Sequence, residues 1–502
     1  MTMAAKSSLT EHYVTKGFED TGMLSDKHSS EGFEQGKIGA LREANKKTRG
    51  LMEQETGRFV GCEEYHGSIL DALRQSDLHI YDLLRAEYER LQNTIQLIAA
   101  ENQCSRAVLA ALGSVVQNKT TEGFAGARYH GGCAVVDKIE LLAISRAKEA
   151  FGAKYANVQP HSGTAANQIV VTAILQRGDK ILSLGLDQGG HLSHGASVSF
   201  TGKFFDVDNY YVDKATFLLD YDAIRRKAVE LKPKLIICGA SAYSRTIDFA
   251  RFRAIADEVG AYLLADISHI AGLIAAGAHP SSIDHAHFTT TSTYKPGGPR
   301  GGLILMGRDF QTTIRVGERQ ITLAEHIDKT TFPGVQGTPY LNNVAAKAVF
   351  FKETLSEQYR ARQFKIISNA QRLAAVLANR GYDVLTGGTD NHMVLINVAN
   401  LRPGLTGLVA QKALEQCGLI VNMNRLPYDS KPAFVTSGLR LGTPIVTKNG
   451  MGHEQMDTIA GLIDTVLRGI EAAGDTEYNL DDSLKKNVND EVVRLSQEFP
   501  MR

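Results

Sequence analysis

Residues 234–266, KLIICGASAYSRTIDFARFRAIADEVGAYLLAD, place two short apolar runs on either side of a longer helical segment. The first run is KLIICGA at 234–240 and the second is YLLAD at 262–266. Runs that are apolar at consecutive positions are typical of strands buried on both faces of a parallel sheet. The stretch therefore predicts a strand, a helix and a second strand of an α/β fold.

The same alternation extends in both directions. Further apolar runs are KILSLG at 180–185 and GLILM at 302–306, again separated by helical stretches. From about Tyr81 onward we therefore expect a mostly parallel sheet with helices on both faces.

A second lobe follows this region. The helical period of FKIISNAQRLAAVLANRG, ended by Gly381, is followed by the apolar run MVLINV at 393–398 and by further helices, as in a smaller α+β domain. We expect an N-terminal extension at 1–78, a large domain at 79–354 and a small domain at 355–502. The extension is polar, with helical pieces such as KIGALREANKKTRGLMEQ that lack a strong apolar stripe.

Composition excludes several classes of protein. The 502 residues are 43% hydrophobic and 22% charged, which is typical of a folded globular chain. Fifty-five basic and 55 acidic side chains give no net charge, so a nucleic-acid partner is not expected. A membrane segment is not expected either, because nowhere do eighteen apolar residues stand together.

The cysteines and the chain start bear on the compartment. The five cysteines, at 62, 104, 133, 238 and 417, are far apart and odd in number, which argues against a disulfide framework and a zinc ribbon. The first residues, MTMAAKSSLTEHYVTKGFED, lack the apolar run of a secretory signal. We expect a cytoplasmic protein without a metal site.

Lys295 is the first candidate for chemistry. It stands in HFTTTSTYKPGGPRGG, where hydroxyl residues and glycines would let a lysine sit close to an anionic ligand. Asp266 ends the run YLLAD, and ligands of open α/β sheets bind at the carboxyl ends of strands. Acid and lysine in this order suggest pyridoxal phosphate, with Lys295 forming the Schiff base and Asp266 keeping the ring nitrogen protonated. Taken singly, Lys295 is better explained as a solvated turn lysine, and Asp266 is explained equally well as a strand-end cap.

A phosphate site is expected where a helix begins in QPHSGTAANQIVVTAIL. Ser162, Gly163 and Thr164 would offer hydroxyls and free backbone N–H groups to an anion. An ordinary helix cap is the alternative. Walker, GxGxxG, HExxH and GxSxG motifs are missing from the chain, so nucleotide, zinc-protease and serine-hydrolase chemistry is not indicated.

The chain resembles the serine hydroxymethyltransferase family over more than four fifths of its length. The matching segments, in order, are IAAENQCS, ARYHGGCAVVD, YANVQPHSGTAANQ, GGHLSHG, SAYSRTIDF, ADISHIAGLIAAG, GGPRGGLILM, FPGVQG, GGTDNH and FVTSGLRLGTP. The resemblance implies a fold-type I pyridoxal-phosphate enzyme with a seven-stranded, mostly parallel sheet. It also implies a homodimer or dimer of dimers with active sites built by two subunits, and tetrahydrofolate as co-substrate.

The resemblance also assigns roles to individual residues. In the cofactor site it implies Lys295 as the Schiff-base lysine, Asp266 as partner of the ring nitrogen and His191 as the imidazole stacked on the ring. The remaining cofactor contacts that it implies are Ser241 and His269 near the ring oxygen, Ser162, Gly163 and Thr164 at the phosphate, and Gly337 from the neighbouring subunit.

For the substrates, the resemblance implies that Arg440 binds the amino-acid carboxylate, which a guanidinium fork can do with two bonds. An interlobe ion pair is the alternative for this arginine. Glu122 matches a carboxylate used for proton transfer and folate contact, although a solvated turn would look the same. Tyr129, Asn424 and the backbone from Gly190 to Leu192 match the folate pocket.

The chain departs from the family pattern near the amino acid. Alanine stands at 100 in place of serine, and Thr120 in place of a tyrosine that contacts cofactor and substrate. His130 replaces the second tyrosine of RYYGG, and Tyr294 replaces the histidine before the lysine. We keep Thr120 and Tyr294 among the catalytic candidates and His130 among the substrate-binding ones.

These departures suggest a larger substrate. Replacing tyrosine by threonine removes several heavy atoms, enough for an added methyl group, which a fitted pocket discriminates by about 1–3 kcal/mol. The hypothesis is exchange of 2-methylserine with alanine, besides or instead of serine with glycine. An ordinary serine enzyme, a folate-independent threonine-type aldolase or transaldolase, and a non-catalytic scaffold of the same fold remain alternatives.

Overall fold

The computed structural model describes residues 69–402 and 404–501, and the helical pieces expected within residues 1–68 lie outside them. The chain divides into two compact units, Met1–Glu87 and Tyr88–Arg502. In the described part of the first unit, helix α1 spans Ile69–Ser76, and helix α2, Leu78–Gln92, continues past the boundary. In the described part of the chain, every helix is too short or too polar to cross a bilayer.

Short elements precede the central sheet. They are β1 (Ile95–Gln96), α3 (Arg106–Leu112), β2 (Gly123–Phe124), β3 (Ala127–Arg128) and α4 (Ala134–Phe151). The strands β2 and β3 pair as an antiparallel hairpin.

A seven-stranded sheet lies at the centre of the second unit. Its strands are β4 (Tyr155–Asn157), β5 (Lys180–Leu184), β6 (Asp206–Tyr210), β7 (Leu235–Cys238), β8 (Tyr262–Asp266), β9 (Phe288–Ser292) and β10 (Gly302–Met306). They lie in the order β4-β10-β9-β8-β7-β5-β6. Strand β10 is antiparallel to both neighbours, and the other pairs are parallel. The expected seven-stranded, mostly parallel sheet is confirmed.

The position of these strands explains why their sequences are apolar at consecutive positions. In β8, Leu263 belongs to the core on one face of the sheet and Leu264 to the core on the other. Because side chains alternate between faces and both faces are covered, each position of the run is apolar. The covering helices and a surface hairpin are α5 (Gly163–Ile174), α6 (Phe200–Phe204), α7 (Tyr221–Leu231), α8 (Phe249–Val259), α9 (Ala271–Ala275), β11 (Thr313–Val316), β12 (Arg319–Thr322), α10 (Leu323–Lys329) and α11 (Leu341–Thr354).

The C-terminal part forms its own core around a second sheet. Its elements are α12 (Glu357–Asn379), β13 (Asp383–Val384), β14 (Met393–Asn397), α13 (Gly407–Gln416), β15 (Leu419–Ile420), β16 (Asn422–Asn424), β17 (Gly438–Gly442), α14 (Pro444–Lys448), α15 (His453–Gly469), β18 (Glu471–Ala472), β19 (Tyr478–Asn479) and α16 (Asp482–Glu498). The antiparallel sheet has the order β13-β14-β17-β16.

Strand β1 joins this C-terminal core although it stands early in the chain. It pairs in parallel with β15, so that Ile95 and Leu97 are buried with C-terminal residues. We therefore propose lobes at 79–354 and 355–502 with residues 95–97 contributed across the boundary. The four described cysteines, at 104, 133, 238 and 417, are free. The cytoplasmic location stays a prediction.

Candidate active site

Asp266 ends strand β8 with a buried carboxylate that accepts four hydrogen bonds. Oδ1 accepts from the backbone N–H and the hydroxyl of Ser268 at 3.0 and 2.6 Å, and Oδ2 from Asn167 Nδ2 and His194 Nε2 at 2.8 and 3.0 Å. Burial alone would raise the pKa of this carboxyl, but His194, His191 and Ser268 together hold it far below its usual range. Asp266 is therefore an ionised acid at the carboxyl edge of the sheet, where ligands bind.

Sequence reasoning missed the three residues that hold this acid. Asn167 lies buried in α5, and its amide oxygen accepts a 2.6 Å bond from Thr290 Oγ1, which fixes its orientation. Ser268 and His194 lie in the motifs DISH and HLSH. Ser268, two residues after Asp266, has the spacing at which a hydroxyl and an amide can both reach an aspartate, a signal that was available.

Lys295 lies in the loop after β9 and is half-buried, which disfavours a solvated turn lysine. Burial lowers the pKa of its amine, Arg440 lowers it further, and the attraction of Asp266 offsets this in part. A lowered pKa gives more neutral amine, the form that acts as a nucleophile. Asn102 Nδ2 donates a 3.0 Å bond to the carbonyl of Lys295 and so holds the loop.

Tyr294 lies between cationic groups. Its ring centroid is 5.5 Å from Lys295 Nζ and 4.4 Å from the guanidinium carbon of Arg300. These distances are in the range of cation–π contacts. The tyrosine is thus placed beside the candidate nucleophile.

The expected phosphate site lies at the start of α5. Ser162 caps the helix, and its Oγ accepts from the N–H of Ala165 at 3.0 Å. A Cβ on Gly163 would lie 3.2 Å from the backbone nitrogen of Ser292, so only glycine fits without displacement. Thr164 is exposed, and the buried Oγ of Ser292 has no hydrogen-bond partner in the described chain. A helix N-terminus with an unused hydroxyl beside it suits an anion.

His191 follows the end of the β5 loop and caps a short 3₁₀ helix at Leu192–His194. Its Nδ1 lies 2.8 Å from Ser193 Oγ, and burial lowers its pKa to about 4, so the ring is neutral at neutral pH. Leu192 beside it is 52% exposed. Ligand atoms of His191, His194 and Asp266 lie within 4.8 Å of one another, close enough for a metal ion. The expected absence of a metal therefore stays a prediction.

Arg440 connects the smaller sheet to the loop after β7. From β17, its Nε donates to Asn422 Oδ1 at 3.1 Å and its Nη1 to the carbonyl of Ser241 at 2.5 Å. Burial lowers the pKa of this guanidinium to about 10. With no carboxylate bonded to it in the described chain, Arg440 is not the interlobe ion pair considered above, and it can receive an anionic group.

Two further expected site residues are His269 and Asn424. His269, just after β8, meets His392 edge to edge: the ring centroids are 5.6 Å apart, and Nδ1 of His269 lies 3.4 Å from Nε2 of His392. Asn424 donates a 2.7 Å bond from Nδ2 to the carbonyl of Arg425. It stands two residues after Asn422 on β16, so both side chains lie on the same face of the strand.

A second cluster forms around the β2–β3 hairpin. The carbonyl of Glu122 accepts a 3.1 Å bond from the N–H of Tyr129, and Glu122 Oε1 lies 3.7 Å from where a Cβ on Gly337 would stand. Thr120, Tyr129 and His130 are exposed. Across the described residues, no hydrogen bond, ion pair or ring contact joins this hairpin cluster to the Lys295 region.

Buried Arg128 holds the hairpin. It forms ion pairs with Asp137 at 2.8 Å and with Glu140, and Nη1 donates to the carbonyls of Thr121 and Gly123 at 2.9 and 2.7 Å. The backbone that carries Glu122 is therefore fixed, while Tyr129 and His130 remain exposed, with the Tyr129 ring edge-on to Phe332 at 5.4 Å.

Three features define a fold-type I pyridoxal-phosphate enzyme. They are the mostly parallel α/β sheet, the ionised Asp266 at the end of β8, and Lys295, whose pKa is lowered, after β9. The family model of serine hydroxymethyltransferase matches residues 73–463, more than three quarters of the chain. The chain belongs to the serine hydroxymethyltransferase family. Enzymes of this family use pyridoxal phosphate as cofactor and tetrahydrofolate as co-substrate.

The residues present fit this cofactor. Ionised Asp266 suits a protonated ring nitrogen, and the unpartnered Ser292 hydroxyl with the α5 N-terminus suits a phosphate. Lys295 would hold the aldehyde carbon. Gly163 lets the start of α5 pack closely against Ser292 and Ser268.

Proposed function

We propose that the protein is a hydroxymethyltransferase that cleaves a β-hydroxy amino acid, serine or 2-methylserine, to glycine or alanine and passes the one-carbon unit to tetrahydrofolate, reversibly. The observation that carries this proposal is the position of Arg440. No described carboxylate pairs with its guanidinium, and it lies close enough to Lys295 for its charge to lower the pKa of that amine. An amino acid could place its carboxylate on Arg440 and its amine beside Lys295.

Arg440 orients the substrate. Two guanidinium hydrogen bonds to the carboxylate would fix Cα and align the bond to be broken. The bond to Ser241 and the bond to Asn422 hold the guanidinium in place before substrate arrives. When bound, the cofactor supplies the electron sink for the pair left at Cα, and Asp266 keeps its ring nitrogen protonated.

Glu122 is proposed to move the proton of the substrate hydroxyl as the carbon–carbon bond breaks. Its cluster has no described contact with Lys295 in the same chain, which supports a site completed by the hairpin of a second subunit. The exposed rings of Tyr129 and His130 support the same arrangement. We propose a homodimer or a dimer of dimers.

The larger substrate is proposed from Thr120. Its side chain is small and exposed where the family's tyrosine would stand, and Tyr294 occupies space next to Lys295 in place of histidine. One added methyl group on Cα is the change that the smaller side chain would accommodate.

A substrate panel tests this function. Cofactor-loaded enzyme is assayed with serine, 2-methylserine, glycine and D-alanine, each with and without tetrahydrofolate. We expect turnover that requires tetrahydrofolate and a kcat/KM for 2-methylserine at least equal to that for serine. A clear preference for serine and glycine would reject the larger substrate, and cleavage of threonine without tetrahydrofolate would identify an aldolase.

Thr120→Tyr gives a matched comparison. In this variant kcat/KM for 2-methylserine should fall about 10- to 200-fold, while kcat/KM for serine should be retained, because a fitted pocket discriminates one methylene on that scale. Thr476→Tyr, at an exposed position in the C-terminal part, is the control and should change neither. Equal losses for both substrates in Thr120→Tyr would contradict a role in specificity.

A further inference from the structure

His392, in the motif GGTDNH, contacts His269. It is 4% exposed and immediately precedes β14. Its Nε2 lies 3.2 Å from the carbonyl oxygen of Ala99 and 3.4 Å from Nδ1 of His269, and the two rings are inclined by 17°. One ring nitrogen of His392 thus faces a carbonyl and a second imidazole.

The carbonyl decides where the proton of His392 lies. A carbonyl oxygen can only accept, so Nε2 of His392 must carry the hydrogen. Burial, together with the charges of Arg440 and Lys295, lowers the pKa of His392 to about 3, so the ring is neutral and its Nδ1 carries no hydrogen. That Nδ1 is buried without a hydrogen-bond partner in the described chain, as expected of a nitrogen with no proton to place.

The same reasoning then applies to His269. Burial, with Lys295 and Arg440, lowers its pKa well below the usual value, so this ring is also neutral. Its Nδ1 faces the N–H of His392 and must present a lone pair, because the other tautomer would point two hydrogens at each other. The hydrogen of His269 therefore lies on Nε2.

We propose that His392 is a positioning residue that fixes His269 as an Nε2–H donor toward the bound cofactor's ring oxygen. The proposal deepens the proposed function and rests on it for the identity of the acceptor. His269, His392, Lys295 and Asn102 line one small cavity, which places the pair beside the lysine that would hold the cofactor. A donor here stabilises an ionised ring oxygen, whereas the opposite tautomer would aim a lone pair at it.

Nitrogen-15 NMR measures the tautomer directly. Full-length protein labelled with ¹⁵N-histidine is examined with and without pyridoxal phosphate, and the His269 signals are assigned by their loss in His269→Gln. We expect His269 to be protonated at Nε2 in both states. A His269 that carries its hydrogen on Nδ1 in the wild-type protein would overturn the proposal.

Two substitutions separate positioning from structural support. In His392→Gln the side-chain amide can still donate to Ala99 and His269, so the Nε2–H tautomer should persist. In His392→Met a similar volume lacks a donor, and a population protonated at Nδ1 should appear. His453→Gln, at an exposed position, should leave the His269 signals unchanged.

The visible absorbance of cofactor-loaded enzyme gives a second readout. Its pH profile should shift in His392→Met and be restored toward wild type in His392→Gln. An unchanged tautomer and an unchanged profile in His392→Met would refute the role. If His392→Met does not fold, the wild-type tautomer still decides, because a hydrogen on Nδ1 of His269 would refute the role. The tautomer and absorbance measurements need no substrate, so they test His392 even if the substrate panel fails.

Discussion

Arg440 Nη1 donates a 2.5 Å hydrogen bond to the carbonyl oxygen of Ser241, and this bond joins the C-terminal sheet to the loop that follows β7. The arginine is thereby oriented by a backbone group, which is unaffected by side-chain substitutions at Ser241. Its second Nη nitrogen has no bond recorded among the described residues, so the fork is free to bind an anion on that side.

Arg440→Lys should raise KM for the amino acid by about 10- to 100-fold, because hydrogen bonds to a charged group contribute about 1.5–3 kcal/mol and lysine cannot form the fork. Steady-state kinetics with serine and 2-methylserine measure this. Visible absorbance should show normal cofactor loading. Arg226→Lys, at an exposed position of α7, is the control. An unchanged KM would remove Arg440 from the substrate site.

Lys295→Ala should abolish the visible absorbance of covalently held pyridoxal phosphate, because the half-buried amine of lowered pKa is the expected attachment point. Absorption spectroscopy after loading and gel filtration tests this. Lys352→Ala, at an exposed position of α11, should load normally. A wild-type spectrum from Lys295→Ala would place the cofactor on another amine.

Mixing two inactive variants tests the two-subunit site. Lys295→Ala and Glu122→Gln should each be inactive, and co-expression should recover up to about a quarter of wild-type activity, since half of the dimers are mixed and each has one intact site. The assay is tetrahydrofolate-dependent cleavage by the purified mixture. No recovery, with mixed dimers shown by mass spectrometry, would mean that both residues act from one chain.

Lys347→Met should weaken cofactor binding and lower the melting temperature. Buried Lys347 donates from Nζ to the carbonyls of Val158, Gly302 and Pro160 at 2.6, 2.7 and 3.2 Å, and two of these precede the phosphate site. The Pro160 carbonyl keeps the N–H of Gly302 as a donor at 2.9 Å, but a carbonyl left without any partner costs about 1–3 kcal/mol. Thermal unfolding and cofactor titration measure the two effects, and Lys352→Met in the same helix is the control. A normal cofactor affinity would mean that Lys347 contributes to the stability of the fold and not to cofactor binding.

The protein should lose stability on mild acidification. The native pKa of His191 is about 4 and that of His392 about 3, against about 6.5 for the unfolded chain. Between pH 6.5 and 4 the unfolded chain therefore binds protons that the native one does not, and each histidine lowers the free energy of unfolding by up to about 1.4 kcal/mol per pH unit.

Urea unfolding of the cofactor-free full-length chain at a series of pH values measures this slope. His392→Gln should flatten the profile, and exposed His453→Gln should leave it as in wild type. A pH-independent free energy of unfolding in this range would contradict the lowered pKa values of these rings, because the native and unfolded chains would then bind equal numbers of protons.

Much of the sheet could be predicted because its signal is local. YLLAD became β8 at Tyr262–Asp266, and GLILM became β10 at Gly302–Met306. The long helix expected through FKIISNAQRLAAVLANRG is α12, Glu357–Asn379, which begins after the Ser356 cap. Its first turns, EQYRARQ, contain few apolar residues, so the apolar period marks the body of the helix and not its start.

The site was only partly accessible from the sequence. Asp266 and Lys295 could be selected because a strand end and a glycine-rich loop mark them locally. Asn167, Lys347 and His392 could not, because each acts through contacts with residues far along the chain. Their neighbours in sequence carry no sign of those partners.

The sequence by itself determined the α/β alternation, the family and the residue types of the site, because periodicity and motifs are properties of neighbouring positions. Tertiary structure alone decided that β1 completes the C-terminal core beside β15, that β10 runs antiparallel, and that Arg128 holds the backbone of the Glu122 hairpin. The physical reason is that these depend on packing and hydrogen bonding between distant segments, which local pattern does not specify.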